Sequence, residues 1–253
     1  VVEKDNSNQQ RNDTLIRLHH AGNAIEIEIL RTDIKRKGTI LALPCWNFPY
    51  SHWWDSTNLC QLAKENGYDL VLPTMGKTIY ADSVYPQTRG DWKGEVTRKW
   101  INKVMIPKLQ NEAHVILATE SNKIIGISTG GRGALLLAMD HPELFTAGAS
   151  LSGDFEMSNF PSDNLYVGFF GPFSRNKEVW TGMENPLTSI SKLETPFYFA
   201  HGKKDNVVPL KHLLLLKEEL DTIKNVFNVV PFGQHDYEFW KIETEKAFHF
   251  FDK

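Results

Sequence analysis

Two kinds of hydrophobic pattern divide this chain. Near its start, Leu15-Ile16-Arg17-Leu18-His19 and Ile25-Glu26-Ile27-Glu28-Ile29 alternate apolar with polar positions on either side of Ala21-Gly22-Asn23. A period of two around a turn signal predicts a half-exposed antiparallel hairpin at a sheet edge. Beyond it the strand-like runs become almost continuously apolar: Thr39 to Leu43, Tyr68 to Leu72, Lys123 to Ile127, Thr146 to Leu151, Phe197 to Ala200 and Val226 to Val230. Helical stretches are predicted over Ser56 to Asn66, Gly94 to Gln110, Gly131 to His141, Leu210 to Ile223 and Tyr237 to Phe251. Pro142 stops one of them and Pro209 starts another. Apolar strands alternating with helices imply a mostly parallel central sheet covered by helices on both faces, with the hairpin added as an antiparallel edge. The fold class is α/β.

Two segments break this alternation. Residues 1–13 are polar and read as a disordered N-terminal tail, leaving 14–253 as a single domain. From Asp154 to Lys192 the periodicity fades and Phe, Gly, Pro and Asn accumulate, as in Phe169-Phe170-Gly171-Pro172-Phe173. This predicts an insertion at about 154–192 over the carboxyl edge of the sheet, where ligands bind in open α/β folds.

Composition narrows the function classes. With 253 residues, 41% hydrophobic and 23% charged, the chain can bury one large core. Its net charge of -3, from 28 basic and 31 acidic residues, and the lack of a basic cluster interleaved with aromatics argue against a nucleic-acid partner. The longest apolar runs, Leu213 to Leu216 and Leu135 to Met139, are too short to span a bilayer. A polar start at Val1 rather than Met fits a removed signal peptide or a trimmed chain, and favours a secreted or periplasmic location over a cytoplasmic one. Two cysteines exclude a disulfide framework and leave open either one Cys45–Cys60 bridge or two buried thiols. Oligomeric state is left open.

The chemistry concentrates at Gly126-Ile127-Ser128-Thr129-Gly130, where an apolar strand gives way to the small-residue helix start Gly131-Arg132-Gly133-Ala134. A G-x-S-x-G pentapeptide arises by chance about once in 15 to 20 such chains, so its setting carries the argument. Strand, turn and helix in that order hold a serine on a strained bend with its hydroxyl exposed. A serine needs a base to take its proton and an acid to orient that base, here in the chain order Ser, Asp or Glu, His. Asp205 follows the strand ending at Ala200, and His235 follows the strand ending at Val230. Asp154 is the competing acid. His201 precedes the acid and is expected to pack or hydrogen-bond at its strand end. Thr129 N–H, at the helix start, is the first expected oxyanion donor, and Trp46 N–H, with Cys45 close behind, the second. Trp46, Phe48, Tyr50, Trp53 and Trp54 crowd that second loop and Trp92 precedes a helix, so Trp53, Trp54 and Trp92 are expected to line an aromatic substrate pocket, although some of these rings belong to the core. Histidines are scattered without H-E-x-x-H or another ligand pattern, so no metal and no organic cofactor is expected.

With these residues in hand, the chain resembles the α/β-hydrolase superfamily, specifically the esterase group related to esterase D, S-formylglutathione hydrolases, feruloyl esterases and antigen 85 mycolyltransferases. The resemblance runs from about Thr39 to Phe251. It is carried by Gly126-Ile127-Ser128-Thr129-Gly130-Gly131-Arg132-Gly133-Ala134, Ser150-Leu151-Ser152-Gly153, Asn185-Pro186, His201-Gly202-Lys203-Lys204-Asp205 and Gly233-Gln234-His235-Asp236. It departs at Pro44-Cys45, where many relatives carry His-Gly or Ser-Gly. The resemblance implies an α/β-hydrolase fold and a serine esterase acting on a small-molecule ester, with a short-chain acyl, aromatic or sugar portion, through an acyl-enzyme. Acyl transfer by the same three residues and a catalytically silent hydrolase-fold binding protein are the alternatives.

Overall fold

Among the described residues, 13–252, eight strands form where the hydrophobic pattern places them. They are β1 (Thr14–His20), β2 (Asn23–Leu30), β3 (Gly38–Leu43), β4 (Tyr68–Pro73), β5 (Asn122–Ile127), β6 (Phe145–Leu151), β7 (Phe197–Gly202) and β8 (Val226–Val230). In this computed structural model they join one sheet in the order β1-β2-β4-β3-β5-β6-β7-β8. The β1–β2 and β2–β4 pairs are antiparallel and all later pairs are parallel. The predicted polar tail lies outside the described residues except for Asp13.

Burial follows the two patterns. All six residues of β3, β4, β5 and β7 are buried, whereas β1 and β2 are partly exposed as their alternation requires. Along the buried strands side chains go alternately to two cores. Leu41, Leu43, Phe197 and Phe199 join one cluster, while Ile40, Ala42, Tyr198 and Ala200 join the other. Apolar residues are needed at both parities, which is why these runs show no alternation. Although apolar in sequence, β8 is the edge strand, and Val226 and Val229 are exposed there.

The Thr129–Asp140 helix packs on β5 and β6, with Leu135, Leu136 and Leu137 all fully buried. Each such side chain contributes about 2 kcal/mol of burial. Several predicted helices shift. Ser56 to Asn66 is replaced by two helices, His52–Ser56 and Leu59–Glu65. The stretch from Gly94 becomes one helix over 98–113 containing two π-helical segments, Ile101–Met105 and Leu109–Ala113. Leu210 to Ile223 shortens to Lys211–Glu219, while Tyr237–Phe251 forms at its predicted bounds. Residues 154–192 hold more regular structure than their composition suggests: helices Asn164–Phe170 and Lys177–Trp180, and a 3-10 stretch Pro186–Lys192. Asp163 starts the first by accepting the N–H groups of Leu165 and Tyr166.

Candidate active site

Ser128 sits between β5 and the helix it starts, at φ 56° and ψ -123°. A β-carbon in that left-handed region costs about 1–2 kcal/mol, and the surroundings hold it there. Ser128 N–H donates to Leu151 O of the adjacent β6 at 2.8 Å, and Ser128 O accepts from Gly131 N–H at 2.8 Å. The bend is so tight that a β-carbon on Gly126 would collide with the backbone of Gly130, and one on Gly130 would collide with Leu43 O. Those two glycines therefore bring the start of the helix against the loop after β3. Thr129, as the first residue of that helix, has an N–H with no helical carbonyl to meet. Thr129, Cys45 and Trp46 all line the cavity that contains Ser128. Asn47, at φ 56°, anchors the Trp46 loop by donating its N–H to Gly76 O at 2.8 Å.

Two more loops complete the arrangement. His235 Nε2 lies 3.0 Å from Ser128 Oγ, and His235 Nδ1 lies 2.7 Å from Asp205 Oδ2. Asp205 Oδ1 accepts the N–H groups of Val207 at 2.9 Å and Val208 at 2.8 Å, and its side chain is fully buried. Burial alone would push this carboxyl up. The hydrogen bond and charge of His235, with the Val208 and Val207 amides, outweigh burial and hold it below its ordinary range. An ionised Asp205 accepts a hydrogen bond from His235 Nδ1–H and so keeps the proton on Nδ1, which leaves Nε2 as an acceptor aimed at the Ser128 hydroxyl. Asp236 begins the following helix by accepting Phe239 N–H at 2.9 Å, and the His235 ring packs edge-on against Trp240 at 4.9 Å.

The competing candidates have other partners. His201 Nε2 donates to Val208 O at 2.8 Å, and burial holds its ring neutral. It supports the Asp205 loop and does not reach Ser128. Asp154 accepts from Tyr166 Oη at 2.5 Å and faces Arg132 at 3.5 Å. Arg132 is fully buried, and also donates to Ile79 O and Glu184 O, so it ties the 154–192 segment to the serine-bearing helix. Burial raises the Asp154 carboxyl from 3.8 to about 6, against the lowering effect of Arg132 and Tyr166.

That shift gives a signed prediction. An acid whose pKa is raised on folding binds its proton more tightly in the native state, so stability is lost as pH rises from about 4 through 6. An Asp154→Asn protein cannot lose that proton. Between pH 4 and 7 the wild type should therefore lose about 3 kcal/mol of unfolding free energy relative to Asp154→Asn, as measured by urea denaturation. A pH-independent difference would contradict it.

The cavity has a volume of about 590 Å³ and an aromatic and aliphatic wall. The structure assigns that wall differently from the sequence reading. Trp53 is 2% exposed and belongs to the core cluster on one sheet face. Trp54 donates to Glu28 Oε2 at 2.7 Å and lines a separate depression. Trp92 is buried behind Trp46, in edge contact with it at 4.9 Å. Thus, of the aromatic residues crowding the predicted loops, Trp46 and Phe48 line the Ser128 cavity, Trp92 supports it, and Trp53 and Trp54 lie elsewhere. Leu165, Tyr166, Val207, His212 and Tyr237 also line it. The predicted placement of residues 154–192 near the carboxyl edge was the available signal for Leu165 and Tyr166; nothing local marks His212. Cys45 and Cys60 are buried and unbridged, and burial pushes the Cys45 thiol up to about 12. Among the described residues no helix is long and apolar enough to cross a membrane, and no group of His, Cys, Asp or Glu is arranged to hold a metal ion.

Comparison with known proteins places the fold and the family. The diacylglycerol acyltransferase/mycolyltransferase Ag85B of Mycolicibacterium smegmatis is 28% identical over 146 residues, covering 54% of this chain and 43% of its own length. Ag85C of Mycobacterium leprae, which bears the same description, is 24% identical over 224 residues, covering 76% of this chain and 66% of its own. The chain thus spans less than two thirds of either curated relative. The solved structure of the fluorophosphonate-binding serine hydrolase FphF of Staphylococcus aureus superposes with a TM-score of 0.76 at 18% identity, over 96% of this chain and 99% of that one. Residues 53–252 match the prolyl oligopeptidase family. With its mostly parallel sheet and its serine on the bend after β5, the chain belongs to the prolyl oligopeptidase family and has the α/β-hydrolase fold.

Proposed function

We propose that this protein is a serine hydrolase that cleaves carboxylic esters of small molecules. The observation that carries the reading is the continuous hydrogen-bonded path from Ser128 Oγ through His235 to a buried, ionised Asp205. In this reading Ser128 attacks the ester carbonyl while His235 takes its proton. Thr129 N–H and Trp46 N–H stabilise the oxyanion, each such donor being worth about 3 kcal/mol. His235 then protonates the leaving alcohol, and water, deprotonated by the same ring, releases the acyl group. The apolar wall beside Ser128 suits an acyl or aryl group, and nothing in the path requires a further cofactor.

Acyl transfer is the second reading, supported by the two acyltransferase relatives. It shares the first half-reaction and differs in the acceptor, an alcohol in place of water. The test is turnover of p-nitrophenyl acetate and butyrate beside a prolyl p-nitroanilide, with products analysed in the presence and absence of glycerol. Ester cleavage to free acid is the expected result. Acylated glycerol as the main product would favour transfer, and cleavage of the anilide alone would overturn the esterase reading.

A further inference from the structure

His212 is 3% exposed, yet its ring lines the Ser128 cavity. Its Nδ1 accepts two backbone N–H groups, from Phe155 at 3.2 Å and Glu156 at 3.1 Å. A ring nitrogen that accepts carries no proton, so the proton is on Nε2. The ring also stacks on Phe160 at 4.1 Å, which fixes its plane. Burial, with the nearby Arg132 charge, lowers its pKa to about 3, so the ring stays neutral and keeps that tautomer. Nε2–H is its remaining polar group. Asp154, one residue before Phe155, lines the same cavity. Its Oδ2 takes Tyr166 and faces Arg132, while Oδ1 is buried with no hydrogen-bond partner. A fixed neutral donor and an unsatisfied acceptor therefore belong to two residues that line the same mostly apolar cavity. Buried groups of this kind discriminate strongly when a ligand supplies, or fails to supply, the missing partner.

We infer that His212 Nε2–H and the Asp154 carboxyl group bind a hydroxyl carried by the substrate, so that hydroxylated esters are selected over their deoxy counterparts. A hydroxyl both accepts and donates, which matches the pair. An ammonium group would meet the donor of His212 with another donor, and Arg132 already balances the Asp154 charge; a carboxylate would meet Asp154. The identity of the ligand as an ester rests on the reading proposed above, while the hydrogen-bonding pair does not.

The test is calorimetry on Ser128→Ala protein, which leaves esters intact, with two matched pairs. These are methyl 3-(4-hydroxyphenyl)propanoate against methyl 3-phenylpropanoate, and methyl 6-hydroxyhexanoate against methyl hexanoate. At least one hydroxylated member should bind about tenfold more tightly. His212→Asn, whose side-chain oxygen can still accept the Phe155 and Glu156 amides, should bring that ratio close to one. His212→Gln, whose amide nitrogen reaches toward the Nε2 position, should retain part of it. If His212 only braces the backbone, the two variants will leave the ratio unchanged, which overturns the inference. Equal binding within both pairs, or no binding of any of the four esters, also overturns it. A binding preference without turnover by the intact protein would instead sink the esterase reading alone.

Discussion

Replacing Ser128 with alanine is expected to lower ester hydrolysis by about ten-thousandfold or more with no loss of folding. The substitution deletes one oxygen whose hydrogen-bond partner is His235 Nε2. Alanine meets the same penalty as serine at φ 56°, so the strain of the bend is unchanged. Its Cβ keeps the same contacts with the surrounding helix and strand. In the proposed mechanism what disappears is the nucleophile, and the oxyanion donors and substrate cavity then act only on attack by water. Loss of a nucleophile that works as a unit with its base leaves a residual enhancement of about 10³ to 10⁴ over the uncatalysed rate. The measurement is p-nitrophenyl butyrate turnover beside the thermal midpoint of each protein. A rate within tenfold of wild type, with an unchanged midpoint, would mean that Ser128 is not the nucleophile.

The chain announces some of this arrangement and conceals the rest, for physical reasons. Strands buried on both faces must be apolar at consecutive positions, so β3 through β7 stand out in sequence, and the loops that follow β5, β7 and β8 carry Ser128, Asp205 and His235. Gly126 and Gly130 are legible because close approach of backbones leaves no room for a side chain. The cavity wall is a matter of direction, which periodicity in a short loop does not encode. Trp53 and Trp54 are neighbours on a single turn of helix, and neighbours there point to different surroundings: one enters the core and the other reaches Glu28. The Asn164–Phe170 helix is hard to see in sequence because it is short and contains Gly168, whose position admits the edge of Trp92. His212 is invisible for another reason. It stands at the start of a helix rich in Leu and Lys, where a histidine would read as a surface residue, and only the distant Phe155 and Glu156 amides reveal its tautomer.

The acid is where sequence order and geometry can be separated by experiment. Asp205→Asn is expected to lower kcat by about ten-thousandfold, whereas Asp154→Asn should cost far less. In Asp205 one oxygen accepts two loop amides and the other accepts His235. Asparagine can satisfy the Val207 and Val208 N–H groups with its single carbonyl oxygen, which turns its NH₂ toward His235 Nδ1. Two donors cannot face each other, so the imidazole moves its proton to Nε2 and Nδ1 becomes the acceptor. The ring then presents N–H to Ser128 Oγ and cannot act as a base, although the loop keeps its shape. Asp154 has no such lever on the ring, since its contacts are Tyr166 and Arg132. Its replacement should change substrate preference and the pH dependence of stability while the Ser128–His235 pair stays intact. Proton NMR of the imidazole nitrogens in Asp205→Asn supplies an independent readout, because the proton should appear on Nε2. A larger fall in kcat for Asp154→Asn than for Asp205→Asn would assign the orienting carboxylate to the other residue.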